Sequence, residues 1–190
     1  MNILCVIDMQ HDFLYGSLAN KKADVVIENV IQALNKKKWD SVIFTQDEHN
    51  SNYLQTREGK MLPVEHCITG TPGFVLHSKL LDWLMQHTNS ADLVNKPHVS
   101  ILFKNRFFCD TLIDEIKLAQ RSNFSPAEPI NVFFCGVCTD ICVISNALQC
   151  VNIPNWDVAV YENACAGLTE EYHNMAIQVM KNCQVKMENV

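Results

Sequence analysis

Two kinds of hydrophobic pattern alternate along the chain: short runs that are apolar throughout, and longer stretches with a helical period. The apolar runs have the length of buried β-strands and occupy residues 3–7, 41–45, 99–103, 130–134 and 158–161, with a weaker run at 184–187. The stretches with a helical period occupy residues 23–38, 78–87, 111–121, 140–150 and 170–182. This alternation predicts a Rossmann-like, three-layer α/β fold, in which a mostly parallel sheet carries helices on both faces.

The composition predicts one compact domain that binds neither membranes nor nucleic acids. The chain has 190 residues, 48% hydrophobic and 19% charged, and no repeat or linker divides it, so residues 1–190 are predicted to form a single domain. A net charge of -6 without a basic stripe argues against phosphate binding. Neither a signal peptide nor a membrane-length apolar stretch is predicted, and the nine cysteines lie in strand and helix patterns, which predicts the cytoplasm.

Four reactive side chains follow predicted strands. Asp8 follows the first strand, Asp47 the second and Lys104 the third. Cys142 lies in the turn after the fourth. Ligands of open parallel sheets bind beyond the carboxyl ends of the strands, where residues distant in sequence meet. We therefore expect these four side chains to share one site.

Cys142 has the placement expected of a nucleophile. Residues 136–143 read Gly-Val-Cys-Thr-Asp-Ile-Cys-Val and turn from a buried strand into a helix. The N–H groups and dipole at a helix N-terminus are expected to lower the pKa of the thiol. In the resulting scheme Asp8 takes the thiol proton, while Lys104 stabilises the thiolate and holds Asp8. The backbone N–H groups of Cys138 and Cys142 receive the oxyanion, and the product of this step is a thioester.

Each of these residues also has an ordinary structural explanation. A buried cysteine in a first helical turn is commonly a small hydrophobic residue, and an Asp or Lys after a strand can simply cap a loop. Cys135 and Cys138 also match a C-x-x-C template, which leaves a redox pair as an alternative. The joint placement of acid, base and thiol at strand ends favours catalysis.

The long connection after the second strand carries a candidate metal site. Asp47 and His49 form a D-x-H pair, and Glu58 and His66 follow within the same connection. Nitrogen and oxygen donors without a thiolate suit Zn²⁺, Fe²⁺ or Mn²⁺. The alternative is a polar loop that binds no metal.

Together, these segments resemble the isochorismatase-like cysteine hydrolases, and among them the nicotinamidases. The resemblance extends over nearly the whole chain, and its remaining motifs are residues 7–13, 66–73 and 163–167. It implies that Asp8, Lys104 and Cys142 form the catalytic triad. It also implies that a cis peptide between Val137 and Cys138 directs an amide at the oxyanion.

The resemblance further implies one divalent metal ion, held by Asp47, His49 and His66 with Glu58. Zinc is expected first, with iron or manganese as alternatives. In this family the ion binds the pyridine nitrogen and orients the carboxamide toward the cysteine. The implied reaction converts nicotinamide and water to nicotinic acid and ammonia, with a role in NAD salvage through pyridine nucleotide synthesis.

The substrate pocket departs from the family pattern. Phe13 matches one aromatic substrate contact, but residues 62–65 read Leu-Pro-Val-Glu and lack another. His11 replaces a common asparagine, and residues 106–108 could reshape the pocket wall. Another amide or carbamoyl substrate, an isochorismate-like ether, and a non-catalytic metal-binding or ligand-binding protein therefore stay open, as does homo-oligomerisation.

Overall fold

The computed structural model describes residues 1–88, 96–123 and 129–190, and a sheet of six parallel strands lies at its centre. The strands are β1 (Asn2–Ile7), β2 (Ser41–Asp47), β3 (His98–Lys104), β4 (Ile130–Val137), β5 (Trp156–Ala166) and β6 (Lys186–Glu188). Their order across the sheet is β3-β2-β1-β4-β5-β6, and every neighbouring pair is parallel. The predicted parallel sheet is therefore confirmed.

Helices connect the strands. Within the described ranges they are α1 (His11–Leu14), α2 (Ala23–Lys36), α3 (Arg57–Met61), α4 (Ser78–Thr88), α5 (Leu112–Asn123), α6 (Ile144–Cys150) and α7 (Glu170–Asn182). Because the strand order reverses between β1 and β4, right-handed crossovers place helices on both faces of the sheet, as predicted. Across the part of the chain that the structure describes, no helix is long and apolar enough to cross a membrane.

The structure corrects some of the predicted boundaries. Helix α2 ends at Lys36, two residues before its predicted end, and β5 runs on to Ala166. The helix predicted from residue 140 begins as a π-helical turn, Thr139–Val143, that leads into α6. Helices α1 and α3 were not predicted, because helices of four and five residues are too short to show a period.

The central strands are buried on both faces, which explains their continuous apolar patterns. All seven residues of β2 are buried, including the polar Thr45 and Asp47 at its carboxyl end. Strand β3 lies at the edge of the sheet and alternates, with Ile101 and Phe103 exposed. The buried residues in the middle of β2 are therefore apolar, whereas polar side chains are buried at its carboxyl end.

The carboxyl ends of β1 and β4 approach each other closely, where the strand order reverses. Ile7 pairs with Gly136, whose φ is +116°, and a Cβ atom there would lie 2.2 Å from the carbonyl oxygen of Ile7. Only glycine satisfies both the dihedral and the space. Asp8, directly after Ile7, also has a positive φ, of 49°, in the left-handed region that Asp tolerates better than most residues.

Candidate active site

Asp8, Lys104 and Cys142 meet beyond the carboxyl ends of three strands. Lys104 lies between the other two: its Nζ is 2.7 Å from Asp8 Oδ2 and donates to Cys142 Sγ at 3.6 Å. All three residues are buried. A carboxylate, an ammonium and a thiol thus share one buried cluster, as their predicted positions at the ends of strands indicated.

Thr45 holds the carboxylate of Asp8 from the neighbouring strand. Its hydroxyl donates to Asp8 Oδ1 at 2.7 Å, and its carbonyl accepts the N–H of Asp8 at 3.2 Å. Sequence analysis missed Thr45. The available signal was its position in a buried strand, two residues before Asp47 and hence on the same face.

Burial sets the protonation tendencies of this cluster. It raises the pKa of the Asp8 carboxyl, despite the nearby ammonium of Lys104. Burial disfavours that ammonium, but Asp8, Cys142 and Asp47 outweigh it and hold the pKa of Lys104 well above its ordinary value.

The Cys142 thiol does not have the lowered pKa that the sequence suggested. Burial raises the pKa of this thiol well above its ordinary value, although Lys104 acts in the opposite direction. That expectation was wrong because desolvation of the thiolate outweighs the neighbouring ammonium. Burial therefore favours a neutral Cys142 thiol, and it also raises the pKa of the neighbouring Asp8 carboxyl.

The turn that carries Cys142 is tightly bonded. The peptide bond between Val137 and Cys138 is cis, and the Cys138 carbonyl accepts the N–H groups of Ile141 and Val143, each at 3.1 Å. The second of these bonds spans five residues, the pattern of a π-helix. Such turns are frequent at functional sites, and this one seats Cys142 within the buried cluster.

Asp47, His49, Glu58 and His66 converge beside this cluster. Each can offer one nitrogen or oxygen donor atom, and the four atoms lie within 4.8 Å of one another. His49 Nε2 is 3.0 Å and His66 Nε2 is 3.5 Å from Asp47 Oδ2. Both imidazoles are also within 4 Å of Glu58, at 3.9 and 3.8 Å. The four predicted ligands therefore face one point.

Other side chains hold these donors in place. Gln10 is fully buried and bonds both backbone groups of Asp47: its Oε1 accepts the N–H at 2.7 Å, and its Nε2 donates to the carbonyl at 2.8 Å. The Tyr53 ring lies 4.7 Å from the His49 ring and 4.9 Å from the His66 ring. No role was predicted from the sequence for Gln10 or Tyr53.

His66 is oriented by its other ring nitrogen. Its Nδ1 lies 2.8 Å from the carbonyl oxygen of Val64, so the N–H belongs on Nδ1 and Nε2 is left as the donor atom. Helix α1 supplies a further support, because the Asp12 carboxylate accepts the N–H of Cys67 at 2.8 Å. A Cβ atom at Gly73 would lie 1.9 Å from that carboxylate, so a larger residue there would displace the Asp12 side chain.

Asp47 belongs to both clusters. Its Oδ2 faces the two histidines, while its Oδ1 accepts from Lys104 Nζ at 3.3 Å. Burial opposes the charge, yet hydrogen bonds from His49 and His66, with the ammonium of Lys104, lower the pKa of the Asp47 carboxyl below its ordinary value. The two clusters therefore form one electrostatic unit.

The remaining predicted pocket residues occupy different places. Phe13 is buried, with its ring 5.5 Å from that of His66, whereas His11 is exposed. An open cleft of about 770 Å³ has Lys104, Arg106 and Phe108 among its lining residues. Arg106 and Phe108, which the sequence marked as unusual, thus line the same cleft as Lys104, one member of the buried cluster.

The C-x-x-C segment carries no disulfide in this structure. All nine cysteines are free, and both Cys135 and Cys138 are buried. Cys135 Sγ lies 3.9 Å from the carbonyl oxygen of Cys5, inside the core. Nothing in this arrangement favours the redox alternative.

Comparisons with known proteins give the family of this chain. A model of the isochorismatase domain matches residues 2–189. The chain belongs to the isochorismatase domain family. It is therefore assigned to a family of hydrolases, and the predicted resemblance to the nicotinamidase branch is confirmed.

Known proteins match this chain over nearly their whole lengths. An uncharacterized family protein of Bacillus subtilis is 29% identical over 185 residues, which cover 94% of this chain and 93% of the relative. The crystal structure of a pyrazinamidase/nicotinamidase from Streptococcus mutans has a TM-score of 0.78 and 27% identity, covering 99% and 100% of the two chains. A Pyrococcus horikoshii pyrazinamidase in complex with zinc has a TM-score of 0.72, with 24% identity and coverage of 100% and 99%.

Proposed function

We propose that this chain is a nicotinamidase-like amidohydrolase that converts nicotinamide and water to nicotinic acid and ammonia. The observation that carries the proposal is the position of Lys104 Nζ, 2.7 Å from Asp8, 3.6 Å from Cys142 and 3.3 Å from Asp47. This arrangement joins a nucleophile and its base to a group of metal-binding donors. The family and the pyrazinamidase/nicotinamidase of S. mutans support the same activity.

In the first step Cys142 Sγ attacks the carboxamide carbon as its proton passes to Asp8. The raised pKa of the Asp8 carboxyl suits a base that must take a proton from a thiol. The negative charge on the amide oxygen is received by the backbone N–H groups of Cys138 and Cys142. Asp8 then returns the proton to the leaving nitrogen, the C–N bond breaks, and ammonia departs from a thioester.

In the second step water attacks the thioester carbon. Asp8 takes a proton from the water, and the same two N–H groups receive the oxyanion. The C–S bond then breaks, the proton returns to Cys142 Sγ, and nicotinic acid leaves. Throughout, the Lys104 ammonium lies beside the sulfur and the carboxylate and offsets whichever of them is charged.

The donor group fits a divalent metal ion, which the reaction would use to hold its substrate. Asp47, His49, Glu58 and His66 offer two imidazole nitrogens and two carboxylates without a thiolate, a set suited to zinc, iron(II) or manganese(II). The P. horikoshii pyrazinamidase in complex with zinc supports zinc as the first choice. When bound, the ion supplies a positive charge that accepts the pyridine nitrogen and orients the carboxamide toward Cys142.

Ammonia release tests the proposal. Purified, zinc-loaded protein is expected to release ammonia from nicotinamide, whereas Cys142→Ala and an EDTA-stripped sample are not. Cys183→Ala, which alters an exposed cysteine, is the matched control and should keep full activity. A folded, metal-loaded protein that releases no ammonia would remove the nicotinamide assignment.

A second candidate is a different amide or carbamoyl substrate for the same chemistry. It is favoured by the cleft wall, where Arg106 and Phe108 stand beside Lys104, and by the absence of an aromatic residue at 62–65. A panel of pyridine and non-pyridine amides, assayed by ammonia release, separates the two. Turnover of another amide with no release from nicotinamide would select the second candidate.

The setting of the activity stays a prediction. We place the enzyme in the cytoplasm, in NAD salvage, as a single domain that acts on a small molecule and binds no nucleic acid. Homo-oligomerisation stays open.

A further inference from the structure

Asn146 uses all of its amide hydrogens inside the core. The residue is fully buried, one helical turn after Cys142. Its Nδ2 donates to the carbonyl oxygens of Cys142 at 2.8 Å and Phe107 at 3.1 Å, and its Oδ1 accepts the N–H of Cys109 at 2.9 Å. A buried amide with three such bonds links segments that the sequence separates by 37 and 39 residues.

One end of this link fixes the cleft wall. Phe107 and Cys109 flank Phe108, which lines the cleft together with Lys104. The Asn146 amide therefore pairs with the backbone on both sides of Phe108, one donor and one acceptor, much as a neighbouring strand would. Phe107 follows Lys104, the last residue of β3, by only three residues.

The other end fixes the nucleophile. The Cys142 carbonyl lies in the π-helical turn, where the regular bonding pattern of the α-helix is displaced by one residue. Ser145 makes the equivalent bond one position earlier, from its hydroxyl to the carbonyl of Ile141 at 2.5 Å. Side chains four residues ahead thus hold successive carbonyls of the turn.

We propose that Asn146 is a positioning residue that sets the separation between the Cys142 nucleophile and the cleft wall at Phe108, and that this wall contacts the substrate. This inference rests on the proposed function, because it assigns the role within that same site. Asn146 touches neither substrate nor the reacting atoms, and it acts through the two segments that its amide joins. Its loss should therefore change substrate binding and nucleophile reactivity as separable effects.

Two substitutions of Asn146 distinguish its bond to Cys142 from its bonds to Phe107 and Cys109. Asn146→Ala removes every bond, whereas Asn146→Ser keeps a hydroxyl that can reach the Cys142 carbonyl as Ser145 reaches that of Ile141. Asn152→Ala is the matched control, because the Asn152 amide makes one bond of the same type, to the carbonyl of Leu148 at 2.6 Å, and is exposed.

The measurements are kcat and KM for nicotinamide, the rate of Cys142 alkylation by iodoacetamide, read as labelled peptide, and the thermal unfolding midpoint. Asn146→Ala is expected to lower kcat/KM by roughly 100-fold, because small displacements of reacting groups cost about that much. Asn146→Ser is expected to restore the alkylation rate and most of kcat while KM stays raised. Phe108→Ala should raise KM in the same way and leave alkylation unchanged.

Each outcome bears on the inference. It is overturned if a folded Asn146→Ser keeps the KM of the native chain, or if its alkylation rate falls as far as that of Asn146→Ala. If Asn146→Ala does not fold, the KM values and alkylation rates of Asn146→Ser and Phe108→Ala, compared with those of the native chain, still test the inference. If the native chain does not act on nicotinamide, the proposed function fails, while the alkylation rates of the two Asn146 variants still test the link to Cys142.

Discussion

The two halves of the candidate site are held in different ways. Asp8, Lys104 and Cys142 project from or just beyond strand ends, so the register of the sheet positions them. His49 and His66 lie in the long connection after β2, where side-chain hydrogen bonds and ring packing hold them. The catalytic half of the site, formed by Asp8, Lys104 and Cys142, therefore depends on the fold. The metal half, whose histidines His49 and His66 lie outside the strands, depends on local contacts that can be removed one at a time.

Gly136→Ala is expected to break the catalytic half with the largest effect. The new Cβ would lie 2.2 Å from the Ile7 carbonyl at a φ of +116°, so β1 and β4 must separate. We expect a loss of about 3 kcal/mol or more in the free energy of unfolding, with loss of activity, measured by urea denaturation and ammonia release.

Gly70→Ala is the matched control in the metal half. Gly70 also has a positive φ, of +80°, but a Cβ there meets nothing within 4 Å. Its cost should be limited to backbone strain, about 1 kcal/mol. An equal loss of stability in both variants would contradict the idea that the sheet ends position the catalytic half.

Asp8→Asn should remove catalysis and leave the metal half intact. Without a base, the Cys142 proton has no acceptor, so kcat should fall by about 10²- to 10⁴-fold while zinc still binds. If Asp8 is the base, its raised pKa is expected to set the acid limit of the native chain, because the carboxyl must be ionised to take a proton. The pH profile of kcat/KM should therefore decline, as pH falls, earlier than for an ordinary aspartate, and a profile that is flat down to pH 4 would argue against this role.

Asp12→Ala should weaken the metal half and leave the catalytic half intact. It removes the acceptor for the Cys67 N–H, next to His66, without touching the catalytic half. Zinc affinity, measured by competition with a chelator, is expected to fall by about 10- to 100-fold, the usual cost of losing such outer support. The rate of Cys142 alkylation should stay within about twofold of the native rate, and a parallel fall in both would show that the two halves are not separable.

Tyr53→Phe is expected to have the smallest effect. It keeps the ring against His49 and His66 but removes the hydroxyl that donates to the Leu62 carbonyl at 3.0 Å. A single hydrogen bond of this type contributes about 1 kcal/mol to stability. Zinc affinity should hardly change, and thermal unfolding should shift by a few degrees. A large loss of zinc would mean that the hydroxyl, not the ring, orients the histidines.

Much of the fold could be predicted because it follows from local periodicity. The five main strand runs and five helical stretches fall within the observed elements, apart from their ends. Placement after a strand was enough to predict that Asp8, Lys104 and Cys142 share one site, because parallel strands end at the same edge of the sheet. Gln10 and Asn146 have no such signal, because Asp47 and Phe107, which they bond, lie 37 and 39 residues away in sequence. Thr45 had only its position in a buried strand, since its partner Asp8 is 37 residues away.

The sequence by itself determined which segments become strands, which become helices, and which reactive residues stand at the carboxyl ends of the sheet, since these depend on the spacing of apolar positions. Only the tertiary structure decided that Asp47 serves both halves of the site, that the turn at Cys142 is π-helical, and that burial raises the pKa of its thiol. Desolvation and hydrogen bonding between distant segments depend on the packed environment, which no local pattern contains.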